Sequence, residues 1–350
     1  MDDRAALAPL LRQAEENLQA QELYARLLRV GAPAFSPQEI RVFSRDCGLS
    51  EAAAYGELLA ALCGLECDKT PSHRRLKERY LMPALKGLDS AVYQENPYAR
   101  LIRLPERSLG DWRLTRLSYA PYQLFPCGNT RILPDGREIQ PLGYFPDAYS
   151  YPAVAQKGRE WMALIPNEIE TMAGDIAAAA GRVAVLGLGL GYFALLASEK
   201  AEVTAVSVIE RDPAVICLFQ RYILPQFPHR EKIRMIQGDA LAAYTGTLAA
   251  GGYDFVYVDL WHDVLDGLPL YLRCRALEGH VPGARFCYWI EPTLLCFLRG
   301  LALEELRAGG GPLTDRLLSW ARRDSAWEER LSLSTLRAFA PFLPPEDVMP

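Results

Sequence analysis

Residues 181–210 read GRVAVLGLGLGYFALLASEKAEVTAVSVIE: an apolar run, three glycines in a G-x-G-x-G pattern, a short helical stretch and a second apolar run closed by an acid. Continuous β-branched and apolar runs of this length are those of strands buried on both faces, and the glycines mark a tight turn between strand and helix. The pattern repeats downstream. VAVLGL is a strand and 192–199 a helix; VTAVSVIE is a strand and 213–225 a helix. KIRMIQGD is followed by the helical LAAYTGTLA, YDFVYVDL by a helix around 268–278, and ARFCYWIE closes the series. Strands alternating with helices predict an α/β fold, a doubly wound parallel Rossmann-like sheet, with any ligand at the carboxyl edge of the strands.

Upstream the texture differs. Residues 3–29 carry Leu7, Leu10, Leu11, Leu18, Leu23, Leu27 and Leu28 at helical spacing. Ser36-Pro37-Gln38-Glu39 has the residues of a capping box with proline in the first turn. Gly48 should end that helix and Ser50 cap the next, EAAAYGELLAALCG. The pair has the outline of a helix-turn-helix, but the second helix offers Glu51, Ala53, Ala54, Tyr55 and Glu57, with no cation or amide for phosphates or base edges. It reads as a helical packing module. Residues 71–110 are mixed and rich in Arg and Lys, and from Trp112 alternating runs flank Pro134-Asp135-Gly136, a hairpin turn. A Tyr- and Pro-rich stretch with Tyr144, Tyr149 and Tyr151 precedes a helix over 165–179. The expected divisions are a helical region over 1–110, a β-hairpin region over 111–150, the Rossmann-like domain over 151–310 and a helical extension over 311–350.

The bulk composition narrows the classes. The chain has 350 residues, half of them hydrophobic, which is enough for a sizeable core and for two domains. A net charge of -5 argues against nucleic acid or an anionic membrane as the main partner. The acidic, helical N-terminus is unlike a signal peptide, and the longest apolar run, 183–197, is broken by glycines, so a cytoplasmic protein with no membrane span is expected. Its eight cysteines then read as reduced, buried thiols. Cys47, Cys63, Cys67 and His73 offer zinc-type donors, but no second C-x2-C pair accompanies them, and no metal is assigned.

The glycines decide the ligand class. A dinucleotide turn wants its third glycine at position 192, which is Tyr192; here it is Gly191. G-x-G-x-G with an acid, Glu210, ending the second strand suits S-adenosylmethionine: the turn lets the backbone approach, and a carboxylate can hold both ribose hydroxyls. Asp239, ending the third strand, lies where an adenine amino group would arrive.

The run VAVLGLGLG…VSVIERDP…IRMIQGDA…YDFVYVDL resembles the class I S-adenosylmethionine-dependent fold, and within it the spermidine synthase branch. Val185 is aliphatic where most methyltransferases carry an acid, and ILPDGREIQ followed by IPNEIETM is similar to that branch's hairpin entry. The resemblance spans roughly residues 110–290. It implies cofactor contacts from Gly187, Leu188, Gly189, Gly191, Tyr192, Glu210, Arg211, Asp239, Ala240 and Asp259, with Asp259, His262 or Asp263 taking a proton. Two features depart from aminopropyltransferases: Leu190 replaces an acid, and Asp259-Leu260-Trp261-His262-Asp263 replaces D-x-x-D. There is no D-P-P-Y or N-P-P-Y after the fourth strand, as amino-methylation of bases would want. The expected function is methyl transfer to a small molecule, with aminopropyl transfer and a non-catalytic cofactor-binding protein as alternatives, and a homodimer among the assemblies open to it.

Overall fold

In a computed structural model the residues described are 3–308; the helical extension expected over 311–350 lies outside them. Contacts group these residues into two compact units. One comprises residues 3–95, 117–151 and 165–170, the other 96–116, 152–164 and 171–308.

The first unit is built on helices whose ends are fixed by local chemistry. The Ser36 side chain accepts from Glu39 N while the Glu39 carboxylate accepts from Ser36 N, so the capping box closes on Pro37–Cys47. Gly48 ends that helix at φ 67, and Ser50 caps Glu51–Leu62. Ala54, Tyr55, Gly56, Leu59 and Ala60 of this second helix are buried, while Glu51 is exposed and Ala53 and Glu57 are half-buried. The Tyr55 ring packs against Tyr122 and Tyr144, and Tyr55 Oη donates to the carbonyl of Tyr122 at 2.6 Å. Leu18, read as part of the apolar stripe, is exposed, whereas Leu23 and Leu27 are buried. Tyr144, Tyr149 and Tyr151 are all buried in aromatic clusters.

The predicted Pro-Asp-Gly hairpin exists but is short. Arg131–Ile132 pairs with Glu138–Ile139 across a turn in which Gly136 has φ 79. A second hairpin was not foreseen. Strand Tyr149–Gln156 pairs antiparallel with Arg159–Ala163 from Ala153↔Ala163 to Gln156↔Arg159. Its two-residue loop is Lys157 at φ 52 and Gly158 at φ 81, the two positive angles of a primed turn. Lys at the first position hides this turn, because Asn or Asp normally marks it. This hairpin, not ILPDGREIQ, leads straight into helix Pro166–Ala178 and the parallel sheet.

That sheet, in the second unit, has five parallel strands: Gly181–Leu186, Val203–Glu210, Ile233–Gln237, Phe255–Val258 and Arg285–Tyr288. Numbered along the chain, they lie in the order third, second, first, fourth, fifth, so the order reverses between the first and fourth strands. Ligands gather at the carboxyl ends beside such a reversal. Val183 to Leu186 and Phe255 to Val258 are wholly buried, while the edge strand Ile233–Gln237 is partly open. Each buried Val or Leu contributes about 1.5–3 kcal/mol. Phe193 of helix Tyr192–Ser198 stacks on Tyr257 at 3.8 Å and 5°, fixing that helix to the fourth strand. Two lysines close helix ends: Lys200 Nζ donates to the carbonyls of Ile176 and Ala179, and Lys232 Nζ to that of Ser198. The helix expected over 213–225 is α-helical only over Pro213–Leu218; a π turn, Phe219–Ile223, and a 3-10 turn containing Pro225 complete it.

Candidate functional site

The glycine turn leaves the first strand and is held by partners from within the same unit. Gly187 N donates to Ile209 O at 3.0 Å and Gly191 N to Leu188 O at 2.8 Å. Tyr98 Oη, fully buried, donates to Leu190 O at 2.7 Å. Leu190 N donates to Met162 Sδ at 3.0 Å. Each glycine is required by its own neighbours. Gly187, at φ 93, would place a Cβ on the carbonyl oxygen of Asp259; Gly189, at φ 51, on the Met162 thioether; Gly191, at φ 74, on the Phe219 ring. Leu188 and Leu190 are buried beside them.

Glu210 sits where the sequence places it, at the end of the second strand, and bridges two loops. One carboxylate oxygen accepts from Leu188 N at 3.3 Å, the other from Asp212 N at 2.8 Å. Burial raises its pKa, and backbone donors, including these two, oppose the shift. Helix Pro213–Leu218 is capped by Asp212, not Glu210: Asp212 accepts from Ala214 N at 2.8 Å and also holds Trp112 Nε1 at 2.8 Å. Arg211 is exposed. Tyr192 is buried, its hydroxyl accepting from Asn96 Nδ2 at 3.0 Å. Asp239 is exposed and caps the short helix that begins at Ala240, accepting from Ala242 N at 2.9 Å.

Asp259 follows the fourth strand directly, and its backbone N donates to Leu186 O at 2.9 Å, next to the glycine turn. Burial pushes its carboxyl up to about 7. His262 follows, half-buried, with Nε2 3.0 Å from the carbonyl of Glu160 and its ring edge-on to Trp161 at 5.9 Å. A carbonyl only accepts, so Nε2 carries the hydrogen and the neutral ring keeps a basic lone pair on Nδ1. Asp263 is an N-cap. It accepts from Leu265 N and Asp266 N, while Asp266 accepts from Asp263 N and from His262 N, a capping box on helix Val264–Leu277. At the end of the fifth strand Ile290 has φ 51, a costly conformation for a β-branched residue, set between the Trp289 N–H bonded to Val258 O and the first turn of helix Glu291–Ala308.

The structure therefore gathers the glycine turn, Glu210 and Asp259 at one sheet edge, with His262 just beyond the fourth strand. It gives Asp239 and Asp263 cap duties and Tyr192 a packing one. Sequence reasoning missed Met162, Tyr98, Trp112 and Asp212. Only Asp212 left a signal, as the Asp of an Asp-Pro helix start. Among the zinc-type donors, Cys47 is exposed, Cys63 is buried with its thiol pKa raised by that burial, and His73 Nδ1 accepts from Glu66 N. Among the described residues no three His, Cys, Asp or Glu side chains come together as a metal site. No helix among them is long and apolar enough to cross a membrane.

No protein-family model matches the chain, and no curated protein does. Solved structures match parts of it. A "putative O-methyltransferase from Klebsiella pneumoniae" is 17% identical over 29% of this chain and 46% of that one, with a TM-score of 0.24. "PigF with SAH" is 21% identical over 33% and 39%, with a TM-score of 0.26. A "putative caffeoyl-CoA O-methyltransferase from Staphylococcus aureus" is 12% identical over 47% and 65%, with a TM-score of 0.27. The chain spans less than two thirds of each of these structures. Superpositions of this quality locate no residue, and the site stands on its own geometry.

Proposed function

We propose that the protein binds S-adenosylmethionine in a class I arrangement and transfers its methyl group to a small molecule. The observation that carries this reading is the Glu210 carboxylate joined to Leu188 N of the G-x-G-x-G turn, which follows the first strand, the strand beside which the order reverses. A carboxylate has about four lone-pair sites, and the backbone donors of Leu188, Asp212 and Arg211 leave it room to accept from a ribose hydroxyl. Gly187, Leu188, Gly189 and Gly191 would line the amino-acid and sugar end. Asp239, with Ala240 beside it and one oxygen outside its cap, would face the adenine, and Arg211 and Tyr192 would flank the pocket. Bound S-adenosylmethionine supplies an electrophilic sulfonium methyl, which an acceptor nucleophile takes while losing a proton. Asp259, beside the glycine turn just past the fourth strand, would receive that proton, since burial raises its carboxyl to about 7, where it can accept and release a proton at neutral pH. His262 Nδ1 is a second acceptor. Alignment of the two reactants would supply most of the acceleration. A small-molecule acceptor and a homodimer belong to the same reading.

Titration calorimetry with S-adenosylmethionine, S-adenosylhomocysteine, decarboxylated S-adenosylmethionine and NAD tests it. Binding of the first two is expected, with a loss of about tenfold or more in Glu210→Gln, where the carboxylate's charge-assisted bonds disappear. Preference for the decarboxylated form would move the assignment to aminopropyl transfer. NAD binding would overturn the reading of the turn, and no binding at all would leave a fold without this cofactor.

A further inference from the structure

Strand Arg159–Ala163 is the outgoing arm of the second hairpin, and three consecutive residues of it touch the carboxyl edge of the sheet. The Glu160 carbonyl holds His262 Nε2, Trp161 packs on the His262 ring, and Met162 lies on the glycine turn. The strand is an edge strand of its sheet, five residues long, and its pairing carries an irregularity between Val154 and Ala155. Short edge strands with disrupted pairing are among the easier elements to displace.

The Met162 contact is the unusual one. Its thioether sulfur accepts the amide hydrogen of Leu190 in the middle of the turn, 28 residues along the chain. It also stands where a Cβ on Gly189 would be. The backbone of Gly189 is thus covered on that face by a side chain that leaves no room for a methyl group, still less for the polar end of a cofactor. On the cofactor reading, S-adenosylmethionine would lie against this turn, and on the Met162 side there is no room for it. The atom in the way is the end of a flexible, unbranched side chain, not backbone. By contrast, the atom that forbids a Cβ at Gly187 is the Asp259 carbonyl. Methionine has three rotatable bonds and gives way at little cost.

We propose that Met162 is a gate: it closes the glycine turn in the free protein, and S-adenosylmethionine binds by displacing it. The inference rests on the cofactor reading above. Apparent affinity is then the intrinsic affinity multiplied by the fraction of molecules in which Met162 has withdrawn, and removing the side chain removes that reduction. Minor open states are commonly populated at 10% or below, so the gain on truncation should be about tenfold or more.

The test has two readouts on the full chain. In the free protein, amide hydrogen exchange at Leu190 is expected to accelerate in Met162→Ala and in Met162→Leu, because neither side chain can accept the bond. In calorimetry, Met162→Ala is expected to bind S-adenosylmethionine about tenfold more tightly than the wild type. Met162→Leu, which keeps the bulk, should stay within about twofold of it. Wild-type binding with an equal or weaker affinity in Met162→Ala would overturn the gate, since Met162 would then be an ordinary wall of the site. Unchanged exchange at Leu190 in both variants would also overturn it. Faster exchange with no binding by any variant would instead sink the cofactor reading underneath, and the gate with it.

Discussion

Gly187 and Gly189 look equivalent in the sequence but are held by different things, and substitution should separate them. A Cβ at Gly187 meets the Asp259 carbonyl, which belongs to a buried strand end and cannot withdraw; at Gly189 it meets the Met162 thioether. Gly187→Ala is therefore expected to cost about 3 kcal/mol or more, from positive φ plus a backbone collision, and Gly189→Ala about 1–2 kcal/mol. Chemical denaturation measures both. In a double-mutant cycle with Met162→Ala, the Gly189→Ala cost should shrink while the Gly187→Ala cost does not. Asp259 gives a pH test. The unfolded chain releases this proton near pH 4, the folded one near 7, so between those values the folded state binds more protons and stability falls as pH rises. Asp259→Asn should match the wild type at about pH 4 and exceed it in stability above about pH 7. If Asp259 is the proton acceptor, the acidic limb of kcat/KM near pH 7 should vanish in the same variant. A limb that persists with full activity would hand that role to His262.

At the scale of elements, Asp263 is decided by what its side chain does for helix Val264–Leu277. It forms a capping box with Asp266, and Asp266 in turn holds the backbone of His262. Asparagine caps as well as aspartate but is no base. Asp263→Asn should keep both stability and activity, while Asp263→Ala should lose about 1 kcal/mol in thermal or urea unfolding. Loss of activity in Asp263→Asn with stability intact would restore the proton-accepting role that the sequence suggested. Capping of this kind was legible beforehand wherever it is purely local. Ser36 with Glu39 and Ser50 were placed correctly because N-cap chemistry acts over three residues. The Lys157-Gly158 turn was not, although it is just as local, because nothing about a lysine announces a positive φ.

At the scale of the whole molecule, the chain does not fold in the sequential blocks its texture suggests. The core around Tyr55 includes Leu23, Leu27, Ile40 and Tyr80 together with Tyr122, Ile139, Leu142 and Tyr144. A fragment covering 1–110 would lack the last four. It is expected to remain helical by circular dichroism but to melt without a cooperative transition. A sharp two-state melt of that fragment would contradict the shared core.

The alternation of strands and helices, the parallel class of sheet, the glycine turn and the acid ending the second strand were all settled by sequence. They rest on periodicity, on the φ freedom of glycine and on end effects, and those interactions lie within a few residues. Which groups stand around that turn was decided only by tertiary structure. Met162 reaches Leu190 from 28 residues away, Tyr98 from 92, and Trp112 reaches Asp212 from 100. Contacts over such separations form because packing and hydrogen-bond satisfaction select them from many alternatives, and no local pattern of residues encodes the choice.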